Sequence, residues 1–234
     1  MRRAENLLIG RLPPVERRRL LDLCEPYALT SLGRSAEPVT TAAHAYFPAS
    51  GCFSLVIDWD RYPHMEVAMI GREGVVGGEI LLGEHAPPWQ AVAHGQCLGW
   101  RIDAATLMSA CATSPALRAL LHTALLVRLH QQALALACQH VHGVGPRLAR
   151  WLLMYHDRTL ADTLPVTQAA MACLLGVRRV GVTLAASEMQ RSGLIRYHRG
   201  AITVMDRAAL ALRACRCYRA DLALHHKLLP GPVP

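Results

Sequence analysis

Two short helical patterns separated by a single glycine dominate the C-terminal half of this sequence and restrict the folds open to it. The first pattern covers residues 167–175, and Thr167 can act as its N-cap by accepting a hydrogen bond from a free amide of the first turn. Gly176 permits the left-handed backbone conformation that a tight turn between helices needs. The second pattern covers residues 178–191 and ends at Ser192-Gly193, a common stop signal. The spacing predicts a helix-turn-helix.

The side chains of these two helices divide into a buried set and an exposed set. The positions expected to form a small core between the helices are Met171, Leu175, Val177, Val182 and Ala185. The positions expected on or near the outer face of the second helix are Arg178, Arg179, Gly181, Thr183 and Ser187. A helix with arginines at its N-terminal end can enter the DNA major groove, which is about 12 Å wide. An α-helical hairpin without a DNA role is the alternative.

A β-hairpin is predicted directly after the second helix. Residues 194–197 and 201–205 have the composition of short strands, and His198-Arg199-Gly200 lies between them as a turn with a basic tip. A helix-turn-helix followed by such a hairpin is a winged helix.

The positive charge of the chain is concentrated in its C-terminal part. Residues 1–141 contain 12 basic and 12 acidic residues, whereas residues 142–234 contain 13 basic and 5 acidic ones, an excess of 8 that equals the formal net charge of +8. This distribution is expected for a protein whose C-terminal part binds the phosphate backbone of DNA.

Length and composition limit the remaining possibilities. The 234 residues, of which 52% are hydrophobic, suffice for one large or two ordinary domains. No uncharged apolar run reaches the roughly 18 residues of a membrane span, and the N-terminus lacks the features of a signal peptide. We therefore expect a cytoplasmic protein that does not contact a membrane.

Short apolar stretches replace the helical period between Pro26 and Trp100, where they alternate with Gly, Pro and Asp. The stretches are 27–32, 45–47, 52–58, 66–70, 75–82, 91–93 and 97–102. Their spacing is typical of a sandwich or barrel. We predict an antiparallel β-roll of about eight strands, which together with the C-terminal helices gives an α+β fold.

A long helix is predicted between the roll and the winged helix. A short helix over residues 102–112 precedes it, and Ser114-Pro115 starts a helix that continues to about His142. One apolar stripe, expected to pack on the roll, consists of Leu117, Leu121, Leu125 and Leu129. A second stripe, with the spacing of a coiled-coil seam between two copies of the chain, consists of Leu120, Ala124, Val127, Gln131, Leu134, Cys138 and Val141. A helix wholly buried within one subunit is the alternative.

These patterns divide the chain into three predicted parts. Residues 1–113 form the roll, residues 114–142 the dimerisation helix and residues 143–234 the winged helix. Gly143 and Gly145 predict a hinge before a helix over residues 147–156. Asp206 can cap a last helix over about residues 207–224.

The eight cysteines contain no CxxC pair. Cys215 and Cys217 could bind a metal or sense oxidants, but no second pair of ligands is evident beside them in the sequence. We therefore assign no metal site and no catalytic residue.

Four motifs carry a resemblance to a known family. They are Tyr46-Phe47-Pro48-x-Ser50-Gly51, the run from Glu66 to Gly74, the run from Arg147 to Met154, and the run from Leu174 to Arg179. Through these motifs the chain resembles the Crp–Fnr family of bacterial transcription regulators along nearly its whole length. The resemblance implies a cyclic-nucleotide-binding-like roll, a dimer helix, a winged helix, and RNA polymerase as a further partner.

The resemblance also identifies the effector pocket of the roll. Gly78 and Glu79 match the pair that opens the phosphate-binding turn of the cyclic-AMP type, but residues 80–91 contain no Arg or Lys to neutralise a phosphate. We expect no cyclic AMP binding. The iron–sulfur branch needs several cysteines near the N-terminus, where Cys24 stands alone, so no such cluster is expected. The cofactor is unknown, and a haem or metal role for His44, His64, His85 or His94 stays open.

The resemblance assigns roles in the predicted DNA interface. Arg179 matches a base-reading arginine, whereas Val180 and Leu184 replace a glutamate and a second base-reading arginine. Thr167, Gln168 and Arg178 match phosphate-contacting positions, and His198-Arg199 is the tip of the wing.

The sequence thus predicts a homodimeric DNA-binding transcription regulator whose two reading helices lie about 34 Å apart on an inverted repeat. A cyclic-nucleotide sensor, a winged helix used for protein contacts and a cupin-like metal enzyme are the alternatives. The enzyme would need an HxH motif in the roll, but His140-x-His142 lies beyond it. The effector, the operator, the sign of regulation and any redox role of Cys215 and Cys217 do not follow from the sequence.

Overall fold

The computed structural model describes residues 5–30, 39, 43–59, 62–84, 86–159 and 161–230. Helix α1 (Pro14–Asp22) leads into a four-stranded antiparallel sheet of β1 (Glu25–Thr30), β2 (His44–Trp59), β3 (Tyr62–Ile70) and β4 (Gln90–Asp103), in the order β1-β4-β2-β3. Pro14 occupies the first turn of α1, where its missing N–H costs no hydrogen bond. The sheet and the helices that follow it confirm the α+β fold class.

The described part of the roll has four long strands, so the prediction of about eight short ones is wrong. Strand β2 covers two predicted stretches and passes through Gly51, which has a φ of +73° and lies at a register shift between Ser50 and Cys52. Strand β4 passes Gly95 in the same way, with a φ of +63°. Glycine marks bulges within these strands rather than their ends. Predicted residues 31 and 32 and His85 lie outside the described residues.

The predicted strand over residues 75–82 is also wrong. It is a turn followed by a 3-10 helix, Gly78–Leu82, with left-handed glycines at both ends, Gly77 and Gly83. Val75, Val76 and Ile80 are buried, whereas Leu82 is 69% exposed, and the pairing of this segment is limited to one isolated bridge between Val76 and Tyr46. An apolar run this short does not distinguish a buried turn from a strand.

Helix α2 (Ala104–Thr113) begins two residues later than predicted, because Ile102 belongs to β4 and Asp103 caps the helix. The Asp103 side chain accepts a hydrogen bond from the backbone N–H of Thr106 at 3.0 Å. Helix α3 (Pro115–Val141) confirms the predicted long helix. Ser114 caps α3 by accepting from the backbone N–H of Leu117 at 3.1 Å.

The predicted dimer seam on α3 needs correction. Val127 is 4% exposed and Cys138 is 1% exposed, because both pack against other parts of the same chain. Such side chains cannot face a second copy. Leu120, Ala124, Gln131 and Leu134 are also partly buried. The exposed face of α3 is displaced from the predicted seam by about one residue. It carries Leu126, Leu129 and Leu136, which are 41%, 61% and 60% exposed.

The first leucine stripe of α3 behaves as predicted except at its C-terminal end. Leu117 and Leu121 are buried in a core with α1, β2 and α2. Leu129, predicted to pack on the roll, lies on the exposed face instead. A straight stripe of step four drifts around a helix of 3.6 residues per turn, so its far end leaves the contact surface.

Helix α4 (Val144–Thr159) connects the long helix to the C-terminal elements. These are β5 (Thr163–Leu164), α5 (Gln168–Leu174), α6 (Arg179–Arg191), β6 (Ile195–His198), β7 (Ala201–Val204), α7 (Arg207–Arg213) and α8 (Cys217–Leu228). The single last helix predicted over residues 207–224 is therefore two helices. The extended backbone of Ala214 ends α7, and α8 then packs along α3.

The roll and the C-terminal helices share buried polar contacts. Arg158 on α4 forms an ion pair with Glu73, at 2.8 Å from Nε to Oε1, and both side chains are almost fully buried. Trp151 Nε1 donates to Glu66 Oε1 at 2.9 Å. Cys52, Val56 and Met69 of the roll belong to the same apolar core as α4, α5 and α6. The helix-turn-helix therefore rests directly on the roll.

Among the described residues, no single helix has both the length and the apolar character needed to cross a membrane. Two helix pairs reach that length together, but they bend by 119° and 116° at their junctions.

Candidate nucleic-acid interface

Helices α5 and α6 form the predicted helix-turn-helix. The Thr167 side chain caps α5 by accepting from the backbone N–H of Ala170 at 3.1 Å. Gly176 adopts a φ of +62° in the turn, as the sequence predicts. Arg147 of α4 closes the other end of α5 by donating from Nη2 to the carbonyl oxygen of Leu175 at 2.6 Å. Sequence reasoning missed this last contact because the two residues lie 28 positions apart.

Helix α6 buries one face and exposes the other. Val182, Ala186 and Met189 are at most 2% exposed and pack in the core with α4 and α5. Arg178 is the N-cap residue and Arg179 the first residue of the helix, and both are exposed. Gly181 and Thr183 are half-buried at the edge of the exposed face. The first turn of α6 thus presents two guanidinium groups and free backbone N–H groups to solvent.

Two apolar side chains also lie on the exposed face of α6. Val180 is 68% exposed and Leu184 is 67% exposed. Both are positions at which the sequence departs from the Crp–Fnr pattern. They leave apolar surface beside Arg179 that can contact the methyl groups of thymine bases.

Two of the predicted DNA-binding residues contact each other. Thr183 Oγ1 donates to Gln168 Oε1 at 2.8 Å and so joins α6 to the first turn of α5. This bond fixes the Gln168 amide with its NH₂ group free to donate elsewhere. Thr167, Gln168 and Thr183 therefore form one continuous surface with Arg178 and Arg179.

The wing lies against the same surface. Strands β6 and β7 pair through His198 and Ala201, and Arg199 and Gly200 form a two-residue turn with φ of +44° and +81°. Two consecutive positive φ values are typical of a type I′ hairpin turn. A side-chain carbon at Gly200 would lie 3.5 Å from Cγ2 of Thr167. The turn therefore places His198 and Arg199, both exposed, next to the start of α5.

Strand β5 adds a third strand to the wing by pairing with β7, which the sequence did not predict. Arg196 on β6 is exposed as well and adds a cation that was not among the predicted site residues. The alternation of the IRYH segment was the available signal, because it places Arg196 on the face opposite Ile195.

The effector-pocket candidates Gly78 and Glu79 lie in the 3-10 helix of the roll. Glu79 is buried and forms an ion pair with Arg128 of α3, with 2.5 Å between Oε1 and Nη2. The Arg128 guanidinium also lies over the Trp89 ring, 5.9 Å from its centroid. Burial lowers the pKa of Arg128, and the charge of Glu79 opposes this shift. Arg128 on α3 thus places a cation beside the segment 80–91, which has no Arg or Lys of its own. Glu79 already neutralises the charge of this arginine.

A second polar cluster lies between the roll and α4. Ser54 Oγ donates to Glu66 Oε2 and lies 2.6 Å from Nε2 of His94. Burial raises the pKa of Glu66 to about 7, although hydrogen bonds from Ser54 and Trp151 oppose the shift. Burial lowers the pKa of His94 to about 4. Near neutral pH this histidine is therefore uncharged.

The prediction that Cys215 and Cys217 have no further metal ligands beside them needs correction. Cys138 and His142, at the end of α3, lie beside Cys215 and Cys217, which precede and begin α8. In the sequence, no further ligands are evident beside Cys215 and Cys217. In the structure, Cys138 and His142 take that place, although they lie more than 70 positions away along the chain. The expected absence of a metal site therefore no longer follows.

Comparison with known proteins decides the class of the C-terminal part. Residues 146–213 match the family model of the Crp-like helix-turn-helix domain. These residues form a Crp-like helix-turn-helix domain. A comparison with curated proteins gave no match.

Solved structures extend the likeness beyond the Crp-like domain to the fold of the whole chain. A Crp/Fnr-family regulator from Eubacterium rectale is 15% identical, covers 91% of this chain and 97% of its own, and has a TM-score of 0.64. FixK2 from Bradyrhizobium japonicum is 16% identical, with coverages of 82% and 98% and a TM-score of 0.64. CLP from Xanthomonas campestris, described as a c-di-GMP responsive global regulator, is 18% identical, with coverages of 83% and 100% and a TM-score of 0.63. The chain thus combines the fold of Crp/Fnr-type transcription regulators with their Crp-like domain, which confirms the resemblance found in the sequence.

Proposed function

We propose that this chain is a homodimeric, sequence-specific DNA-binding regulator of transcription, controlled by a signal that acts on its roll. One observation carries the proposal. Arg178 and Arg179 are exposed at the N-terminus of α6, and the start of α5 and the wing tip border them on one surface. That surface belongs to the part of the chain that holds the whole excess of positive charge.

Each residue of this surface has a distinct role in the proposal. Arg179 donates two hydrogen bonds to O6 and N7 of a guanine in the major groove, and Val180 and Leu184 contact thymine methyl groups beside it. Gly181 lets the helix approach the groove closely, and Thr183 holds Gln168 in place. The phosphate contacts come from Thr167, Gln168 and Arg178 at the helices and from His198 and Arg199 at the wing.

The dimer forms through α3 in this proposal, but along the corrected face. Leu126, Leu129, Ala133 and Leu136 are exposed and repeat in steps of three and four, the spacing of a coiled-coil seam. Their burial against the same face of a second copy would remove the largest exposed leucine surface of α3 from water. A two-fold axis along α3 then separates the two α6 helices by about 34 Å, one turn of DNA.

The parts keep their predicted boundaries in the proposal: 1–113 as the sensor roll, 114–142 as the dimer helix and 143–234 as the DNA-binding part, with α8 returning to α3. The dimer acts in the cytoplasm, where it meets DNA and RNA polymerase. Two contacts of the roll carry a signal towards α6 in this proposal. The Glu79–Arg128 pair joins the roll to α3, and the contact of α5 with β3 joins the roll to the helix-turn-helix.

The enzyme alternative receives no support from the described roll. Among residues 43–59, 62–84 and 86–103, no three metal-binding side chains come together. His64 pairs with Asp58 at 3.2 Å, whereas His94 bonds to Ser54 at a separate position. A non-enzymatic regulator also agrees with the Crp/Fnr-type fold.

Fluorescence anisotropy with duplex DNA tests the proposal. DNA fragments selected from a random library by the purified chain should share an inverted repeat with half-sites about 10 base pairs apart, centre to centre. Affinity should fall steeply with salt. A chain that selects no shared sequence and binds no duplex at low salt would refute the proposal.

A further inference from the structure

Four side chains with metal-binding atoms meet where the end of α3 touches the start of α8. Cys138 lies in the last turn of α3 and His142 is the C-cap residue of that helix, and Cys215 and Cys217 flank the N-cap residue of α8. The four ligand atoms all lie within 4.8 Å of one another. Cys138 Sγ and Cys215 Sγ are 3.5 Å apart, and Cys217 Sγ lies 3.7 Å from His142 Nδ1.

These distances fit one tetrahedral ion. With zinc–sulfur bonds of about 2.3 Å and zinc–nitrogen bonds of about 2.1 Å, tetrahedral geometry separates two sulfurs by about 3.8 Å and a sulfur from a nitrogen by about 3.6 Å. Both close pairs differ from these values by a few tenths of an ångström. Small side-chain rotations would equalise the remaining distances, because the backbone already places all four side chains around one point.

The surroundings suit a negatively charged metal centre. Three thiolates and a neutral imidazole on a divalent ion carry a net charge of −1. Arg150 interacts electrostatically with Cys138 and Cys217, and Arg147 interacts with Cys138 and Cys215. Such outer contacts stabilise and orient thiolate ligands.

Burial closes the site to other ligands. The three cysteines are at most 6% exposed, and Leu134 packs against them. Four protein ligands in a closed, apolar setting are typical of a structural zinc site, which leaves no open position for a substrate. Thiolate-rich donor sets also favour zinc over magnesium or calcium, which prefer oxygen ligands.

We propose that Cys138, His142, Cys215 and Cys217 bind one Zn²⁺ ion that joins the end of the dimer helix to the start of α8. The three thiols lose their protons when the ion binds, so binding weakens in acid. Because His142 lies between the end of α3 and the start of α4, the ion also restrains the point at which α4 leaves the long helix. Its influence on DNA binding rests on the proposed function, whereas the metal site itself does not.

Metal analysis of the full-length chain, purified under reducing conditions, tests the site. We expect one zinc per chain that survives dialysis. Replacement by Co²⁺ should give the thiolate-to-metal charge-transfer absorption and the intense visible bands of a tetrahedral site. Zinc should also protect three thiols from alkylation, and a strong chelator should expose them. A fully reduced wild-type chain that takes up no zinc, or whose thiols react equally with and without zinc, overturns the proposal.

Matched variants assign the ligands. Cys217→Ser and His142→Ala should each weaken zinc binding more than about 100-fold, since loss of even outer contacts costs 10- to 100-fold. Cys24→Ser changes a cysteine outside the cluster and should keep one zinc per chain. Circular dichroism of each variant separates lost ligation from lost folding. Equal zinc affinity in Cys217→Ser and Cys24→Ser would contradict the assignment.

The link to DNA binding is measured separately. Removal of zinc should lower the affinity of the chain for its selected DNA at least about tenfold, which corresponds to a typical coupling between two sites. Equal affinity with and without zinc would exclude this coupling and leave the metal site intact. A chain that binds zinc but no DNA in either form would instead refute the proposed function.

Discussion

Arg128 on the long helix and Glu79 in the roll form a buried ion pair, with 2.5 Å between Nη2 and Oε1. Each charge is the neutralising partner of the other. A ligand phosphate would have to compete with Glu79 for the guanidinium, at the cost of leaving a carboxylate buried without its partner.

Arg128→Ala should lower the free energy of unfolding by about 3–5 kcal/mol, because it leaves Glu79 buried and unpaired. Urea denaturation measures the change. Arg118→Ala removes an exposed arginine from the same helix and should alter stability by no more than about 0.5 kcal/mol. Equal losses in the two variants would mean that the Glu79 pair contributes nothing specific.

Arg179→Ala should cost about 1–3 kcal/mol at one base pair of each half-site and relax the preference for guanine there. Binding to a set of operators with single base changes reveals which position loses its preference. Arg219→Ala, an exposed arginine on α8, is the matched control and should keep the wild-type preference. An unchanged preference in Arg179→Ala would remove this residue from base reading.

Arg178→Ala should weaken binding to all sequences alike and reduce the slope of log affinity against log salt by about 1 per subunit. The reason is that a lost phosphate contact releases one counterion fewer. Titrations at several salt concentrations give the slope. If the variant keeps the full slope, Arg178 does not contact phosphate.

Leu129→Glu should convert the dimer to a monomer, because it places a charge in the centre of the corrected α3 face. Light scattering during size-exclusion chromatography measures the mass. Leu212→Glu is the matched control, since Leu212 on α7 is 76% exposed and lies outside α3. A dimer that persists in Leu129→Glu would contradict the corrected seam.

The Glu66 cluster predicts a pH effect on stability. Burial raises the pKa of Glu66 to about 7, above the ordinary value of 4.5. The folded chain therefore holds the Glu66 proton more tightly than the unfolded chain, and this contribution to stability is lost as pH rises between those two values. His94 acts in the opposite direction, because its lowered pKa of about 4 makes the folded state lose stability as pH falls below 6.5.

Glu66→Gln separates the two effects by removing the carboxyl and keeping an acceptor for Trp151. Relative to the wild type, its stability should rise with pH between about 4.5 and 7, with a slope of at most about 1.4 kcal/mol per pH unit. Urea denaturation at several pH values measures the difference. Parallel stability curves for the two proteins would show that Glu66 does not titrate in this range.

The features predicted correctly from sequence were those with local physical causes. Thr167, Ser114 and Asp206 each cap the helix that the pattern assigned to them, because a cap needs only a side chain and the next turn. The turn at Gly176 was also predicted correctly, because its cause is likewise local. The number of strands was wrong because Gly51 serves equally well as a strand end or a bulge, and only pairing with β4 distinguishes the two.

Features that depend on distant parts of the chain could not be predicted. Arg128 is the partner of Glu79 across 49 positions, and Cys215 meets Cys138 across 77. The predicted seam on α3 differs from the exposed face because neighbouring stripes of a leucine-rich helix have nearly the same spacing. Only the packing of α8 and the roll determines which stripe remains exposed.

The end of the chain returns to its beginning. Leu229, just after α8, is buried among Leu8, Leu12 and Leu20, and Arg11 donates to the carbonyl oxygen of Pro230. This C-terminal anchor consequently adds to the Arg158–Glu73 and Trp151–Glu66 contacts that hold the C-terminal part on the roll. Truncation before Leu229 would remove this anchor without changing the proposed DNA-contacting surface.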